Sequence, residues 1–256
     1  MATLKTLSCV LAATISSMTY AADFEFDRPG EAFGTGITPV GQVAWEQGLP
    51  TVHYSESKDL DGQKVKTTTL NADLLLRTGL TKNLELQLGW DGATWAQTKV
   101  AGDTSHDEGL GDISVGLKRS IDLGDDRLSM AVLAQAKIAT GNERFSEEDD
   151  IYSLGSSLHY QYDDQIDTGL TMRYEIQDGK WAIVAIPNLS YELSNKWSGF
   201  SELVYRKAES REYESTLISG VVYRLNPRVQ FDASLGADLN GPGKNYHSGL
   251  GVAFLF

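Results

Sequence analysis

Three groups of residues in this chain have types and spacings that could support chemistry. Ser157 and His159 stand two apart, and His247 adjoins Ser248. A serine nucleophile and a histidine base can cooperate when both side chains lie within hydrogen-bond reach. Glu147, Glu148, Asp149 and Asp150 form a run of carboxylates, the hard oxygen donors that suit calcium. The third and largest group is a set of single charges set among apolar residues. It comprises Glu46, Asp73, Arg77, Glu85, Asp112, Lys118, Lys137, Asp167, Arg173, Glu175, Glu192, Glu202, Arg206, Arg224, Asp232 and Asp238. Charges of both signs on one wetted surface suit a passage that sorts solutes electrostatically. They suit equally a network of ion pairs that fills a narrow interior. Both readings are open at this point.

The elements that carry these residues are strands. Side chains alternate between two faces with a period of two, and that period runs through most of the chain. From Asn245 to Phe256, Tyr246, Leu250, Val252, Phe254 and Phe256 share a face, opposite His247, Gly249, Gly251 and Ala253. The same alternation predicts twelve strands: 42–54, 67–80, 83–95, 110–122, 127–139, 150–162, 165–177, 181–193, 197–207, 213–225, 228–239 and the C-terminal segment. In ten of the twelve, all but 150–162 and the C-terminal segment, the apolar face opposes members of the charged set named above. Pro187 cannot donate to a ladder, so a local bulge is expected there.

The connections sort by side. Thr81-Lys82, Leu123–Asp126, Asp163-Asp164, Ser194–Lys196 and Asn226-Pro227 are short, whereas Ser55–Lys66, Ala96–Gly109 and Thr140–Asp149 are long and polar. Short turns on one side and longer loops on the other are the arrangement of an up-and-down transmembrane barrel with both termini periplasmic. Tyr and Trp cluster near the predicted strand ends, where an apolar body with a polar tip suits the headgroup layer. Without water in the hydrocarbon layer the sheet must close, leaving no unpaired edge. The expected fold is therefore all-β, an antiparallel transmembrane barrel of about twelve strands over residues 42–256.

Ahead of it, residues 1–21 read as a cleaved signal peptide, with Lys5, an apolar run from Leu7 to Ser17, and Thr19-Tyr20-Ala21 at the cleavage site. Removing that leader leaves 21 basic against 35 acidic residues, a charge of −14. Such acidity argues against a nucleic-acid partner. Cys9, the only cysteine, lies in the leader, so the exported chain would hold no disulfide. A mean hydropathy of −0.26 is no objection to a barrel, because lumen residues dilute the lipid face.

Residues 22–41 contain Asp27-Arg28-Pro29-Gly30, Gly34-Thr35-Gly36 and Pro39–Gln42, which read as turns. This segment either hangs in the periplasm or folds into the barrel mouth, with Arg28 pairing to a lumen carboxylate as a plug.

Those same motifs, with Glu46-x-Gly48, Leu76–Thr81 leading to Leu84–Leu86, and Gly109–Lys118, carry a family resemblance. From Asp27 to the C-terminus the chain resembles the phenol meta-pathway, transporter-like outer-membrane barrels. The resemblance implies a porin-like protein of the Gram-negative outer membrane that takes part in uptake of small, often aromatic or hydrophobic compounds. It supplies no substrate-binding residues.

Catalysis is the weaker expectation. Periodicity puts Ser157 and His159 on the charged face, away from lipid, and points His247 and Ser248 to opposite faces. No phosphate loop, zinc spacing or nucleophile elbow occurs. The expected function is passive or facilitated diffusion of small molecules into the periplasm, without catalytic residues or cofactor. The alternatives are an occluded structural barrel with working surface loops and, behind it, a lipid-modifying enzyme. Expected partners are outer-membrane lipid and lipopolysaccharide, the barrel-assembly machinery acting on the strand that ends at Phe256, and a small-molecule solute. The carboxylates at 147–150 are only weak metal candidates, since a solvated acidic loop is the commoner outcome.

Overall fold

Alternation of buried and exposed side chains governs the whole computed structural model, which describes residues 24–241 and 243–256. The expected signal peptide and Cys9 lie outside the described residues. The strands are β1 (Val43–Lys58), β2 (Lys64–Thr81), β3 (Leu84–Val100), β4 (Asp103–Leu110), β5 (Ile113–Ile121), β6 (Leu128–Ile138) and β7 (Ile151–Gln161). They continue as β8 (Ile166–Gln177), β9 (Lys180–Ser194), β10 (Trp197–Ala208), β11 (Tyr213–Asn226), β12 (Val229–Asp238) and β13 (Lys244–Leu255).

Every strand but one pairs antiparallel with the next in sequence, β4 and β5 pairing with β3 and not with each other, and β1 pairs with β13 from Ala44↔Leu255 to Glu56↔Lys244. The sheet is closed. β4 and β5 are one stave interrupted at Gly111-Asp112, because both lie along β3, β4 beside Ala93–Val100 and β5 beside Leu84–Trp90. Twelve staves result, as the periodicity predicts. Leu88, Leu117, Leu154, Leu170, Ile183, Leu217, Phe231 and Leu250 are all exposed, and they girdle the outside. Arg77, Lys118, Glu46 and Glu85 are fully buried inside. Inverted polarity of this kind is stable only where hydrocarbon wraps the outer face. The protein is an antiparallel transmembrane β-barrel.

Three expectations need correction. Ser55–Lys66 and Ala96–Gly109 are mostly strand, not loop: β1 and β2 run on to a turn at 59–63, and β3 and β4 to the two residues Ala101-Gly102. Polar residues there mark where the ladder leaves the hydrocarbon layer, not where pairing stops. The link between β8 and β9, residues 178–180 by the expected bounds 165–177 and 181–193, is only Asp178-Gly179, both at positive φ as a type I′ hairpin turn requires. Lastly, Pro187 makes no bulge. Its register with β8 is continuous (Leu170↔Pro187), and the pairing to β10 resumes in phase beyond it.

The bulge that matters lies in β1, between Gly48 and Thr51. It inserts one extra residue into the strand and so switches its faces. Glu46 and Gly48 point inward before it, Thr51 and His53 after it. Gln47, on the outer side, donates to the backbone oxygens of Asp73 (2.7 Å) and Gly48 (3.2 Å) that the irregularity frees.

Candidate functional site

A strap formed by residues 24–41 runs through the lumen. Asp27 is its hub. Both Asp27 oxygens lie 3.1 Å from Lys118 Nζ, Gln87 Nε2 donates to Oδ2, and the Gly34 N–H donates to Oδ1 at 2.9 Å. Arg77 reaches Asp27 (3.4 Å), Glu46 (3.0 Å) and Glu85 (2.9 Å), and donates to the backbone oxygens of Glu25 and Gly36. Lys118 also meets Glu85 at 3.1 Å, whose other oxygen accepts the Thr38 N–H at 2.6 Å. Charges held so far from water persist only when each finds opposite charge and hydrogen bonds.

Arg28 makes a second fastening. Its guanidinium lies 2.6 Å from Asp73 and 3.5 Å from Asp232, its N–H donates to Glu46, and its carbonyl accepts from Gln230 Nε2. The third fastening crosses the barrel. Glu202 accepts the Glu31 N–H at 2.7 Å and the Ala32 N–H at 3.4 Å. Gly30 makes that approach feasible: its φ is +107°, and a Cβ there would lie 2.5 Å from Glu202 Oε1. The Thr35 hydroxyl lies 2.7 Å from the Ser129 hydroxyl.

Glu202 and Ser129 belong to one row of paired residues, Ser129↔His159↔Gly169↔Asn188↔Glu202, across β6 to β10. Four strand spacings make that arc about 19 Å long. The strap from Glu31 to Thr35 extends at most about 14 Å. It is a chord under a curved wall, so it cannot lie flat on the row. Between them lies a cavity of about 860 Å³, reaching the short turns at Lys82, Asp122–Arg127 and Gln165. Phe33, in the middle of the chord, packs on Ala131 and Leu133, and a Cβ on Gly155 would lie 3.0 Å from its ring.

The sixteen predicted lumen residues do not form one surface. Glu46, Asp73, Arg77, Glu85, Lys118, Glu202 and Asp232 hold the strap. Arg173 and Arg206 flank Glu175 at 2.7 and 3.3 Å, nearer the loop end, and Lys137 meets Asp91 at 2.7 Å and Glu147 at 3.7 Å. Arg224 lies 3.7 Å from Glu192 and 3.4 Å from Glu25, while Asp167 and Glu192 border the cavity at the turn end. Asp238 accepts from Thr216 and Asn245.

Asp112 is a loop anchor. It accepts the N–H groups of Thr140, Gly141 and Glu147 and the Ser146 hydroxyl, and folds the 139–150 connection inward. Burial pushes its carboxyl up, but those four hydrogen bonds outweigh burial and hold it below the ordinary aspartate value.

At the run 147–150, as elsewhere among the described residues, no group of three or more candidate metal ligands converges. Glu147 faces Lys137, and Asp150 accepts the Ala139 N–H. The Ser157 hydroxyl bonds Thr171 at 2.9 Å and not His159.

Two features escape the sequence reading. The hub Asp27 sits in a segment without periodicity. The inner wall also carries an apolar patch, with Val184, Ile186, Phe200, Ile218 and Val222 all buried. Its signal was present in Trp181–Pro187, which is apolar on both faces.

The family model described as "Putative MetA-pathway of phenol degradation" matches residues 26–256. No curated protein matches the chain. Among solved structures, an outer-membrane channel from Pseudomonas putida F1 superposes with a TM-score of 0.69 at 14% identity, covering 89% of this chain and 100% of that one. The translocator domain of the autotransporter NalP from Neisseria meningitidis gives 0.55 at 10% identity, over 84% and 88% of the two chains. The KdgM porin in complex with disordered oligogalacturonate gives 0.53 at 14% identity, over 80% and 98%. These likenesses show the fold, that of outer-membrane barrels.

Proposed function

The chain belongs to this phenol-degradation family, and on that premise we propose that it is an outer-membrane channel for passive or facilitated diffusion of small molecules, aromatic or hydrophobic compounds among them. One observation carries the reading: the strap is fastened as a chord, leaving a cavity of about 860 Å³ against β6–β10 instead of filling the lumen. The apolar patch of Phe200, Ile218 and Val222 gives weakly polar solutes a surface that a wholly charged lumen would lack.

The turn end, where Val43 and Phe256 pair, is read as periplasmic. The outer girdle then faces lipid and lipopolysaccharide, and the C-terminal strand ending at Phe256 is the segment offered to the barrel-assembly machinery. Catalysis gains no support from Ser157, whose hydroxyl is engaged by Thr171. An occluded structural barrel has one observation in its favour, the density of buried ion pairs around Asp27.

Liposome swelling with purified protein separates the two. Solute-dependent swelling with small neutral aromatics and sugars is the expected result. Impermeability to every solute tested would establish the occluded barrel instead.

A further inference from the structure

The bulge that turns Thr51 and His53 into the lumen turns Val52, Tyr54, Glu56 and Lys58 outward. Toward the loop end, the outward positions of four neighbouring strands line up. Lys244, Glu56, Lys66 and Lys99 form one row across β13, β1, β2 and β3, and Lys58 pairs with Lys64 one outward position beyond it. Five of the chain's twelve lysines stand in this patch, all of them exposed. Among the described residues, Glu56 is the one acid in the two rows, 3.1 Å from Lys64 and 3.8 Å from Lys66. Asp59 and Asp61 lie in the turn beyond, where Asp59 accepts the N–H groups of Asp61 and Gln63. The patch is therefore cationic, on a chain whose net charge is −13.

The side chains beneath the patch fix its height on the membrane. Tyr54 and Tyr246 stack with ring centroids 6.4 Å apart, one outward position (about 7 Å) below Glu56 and Lys244. The Tyr54 hydroxyl donates to Glu56 at 3.3 Å. Tyrosines with an apolar body and a polar tip mark the headgroup layer, so the lysines stand where lipid phosphates lie. Beside and below the two tyrosines, the lipid face sinks into a depression of about 510 Å³. Ser219, Ala237 and Ser248 are the small side chains of its floor, and Leu217, Leu235 and Leu239 rise around them. Such a hollow in an otherwise bulky girdle is filled by hydrocarbon, which regains there the dispersion contacts that small side chains forgo.

We propose that this corner of the barrel is a lipopolysaccharide-binding site. The lysines of β13, β1, β2 and β3 hold the phosphates of the lipid A headgroup, and one of its acyl chains lies in the depression beside Tyr54 and Tyr246. Charge and vertical order together select this occupant. Ammonium groups bind phosphate as point charges, and basic clusters flanking a membrane attract anionic headgroups. Only a lipid joins such a headgroup to a chain that reaches the hollow below it. A second copy of this chain docking by two-fold symmetry would set lysine against lysine. The proposal rests on the reading that the turn end is periplasmic, which puts the patch in the outer leaflet.

The test uses protein extracted from outer membranes, washed free of lipopolysaccharide in detergent and titrated with lipid A, the bound lipid being counted by native mass spectrometry. One lipid A per barrel, bound saturably, is expected. Lipid A stripped of its phosphates and phosphatidylglycerol should each bind about tenfold more weakly, a difference of about 1.4 kcal/mol. Combining Lys66→Gln, Lys99→Gln and Lys244→Gln should weaken lipid A binding by a similar factor. Lys180→Gln with Lys207→Gln, at the loop end of the opposite wall, should leave it unchanged. Ala237→Trp fills the hollow from the lipid side and should weaken binding severalfold with every lysine in place. Equal binding of lipid A and its dephosphorylated form overturns the proposal with the wild-type protein alone, and so does equal loss in the two lysine variants. Orientation is read separately, from Asp61→Cys in a Cys9→Ser background treated on intact cells with a membrane-impermeant thiol reagent. Labelling without lipid A binding removes the site and leaves the orientation. Absence of labelling removes the orientation, and the site's access to lipopolysaccharide with it.

Discussion

Lys118 Nζ lies 3.1 Å from each carboxylate oxygen of Asp27, joining residues 91 positions apart in the chain. One belongs to β5 and the other to the strap, so this pair decides where the strap sits. Lys118 is fully buried, and Asp27 is nearly so. Removing one member of a buried pair leaves an uncompensated charge, at a cost of about 3–5 kcal/mol. Asp27→Ala should therefore lower the unfolding midpoint in denaturant and raise single-channel conductance as the strap comes free. Unchanged conductance in a folded variant would contradict the hub role.

Arg28 tests the fastening on the opposite side. Asp73 and Asp232 both face it, at 2.6 and 3.5 Å. Arg28→Ala leaves two carboxylates facing each other without a cation, so cation over anion selectivity should increase. Reversal potentials in asymmetric potassium chloride measure it. Arg28→Lys should restore most of the wild-type value.

Glu202 holds the strap through backbone donors alone. Glu202→Gln keeps one acceptor oxygen and presents an NH₂ where the other stood, which loses one of the two bonds and about 1–3 kcal/mol of local stability. Hydrogen exchange at the Glu31 amide should accelerate while exchange in β10 stays slow. Equal acceleration in both would mean the whole barrel had loosened.

Asp112 predicts a pH dependence at the loop end. A carboxyl held below its unfolded value stabilises the fold above that value and loses the effect as pH falls through the folded one. Protection of the 139–150 connection from protease should be flat near neutrality and decline only below about 3.8, the ordinary value for the group. Asp112→Ala should expose the connection at every pH.

Much of this architecture is legible in the sequence. Period two locates the staves to within a residue or two wherever one face meets lipid, as in Ile166–Gln177 or Tyr213–Asn226. It fails above the hydrocarbon layer, where both faces are polar, and so misses the extension of β3 and β4. Periodicity also says which way Arg77 and Lys118 point, but not what they meet. Their partners Asp27 and Glu46 are distant in sequence, and the strap that supplies Asp27 has no repeat to mark its path. Phe33 offers no sequence signal either, because its role follows from the chord it rides on.

The central claim is that solute passes between strap and wall. Ser190 borders that space, and the chain's only cysteine, Cys9, is removable. In a Cys9→Ser background, Ser190→Cys is labelled with a bulky thiol reagent and phenol flux is followed in liposomes. The account predicts that flux falls sharply on labelling and returns when the label is reduced off. Complete labelling by mass with undiminished flux would contradict it.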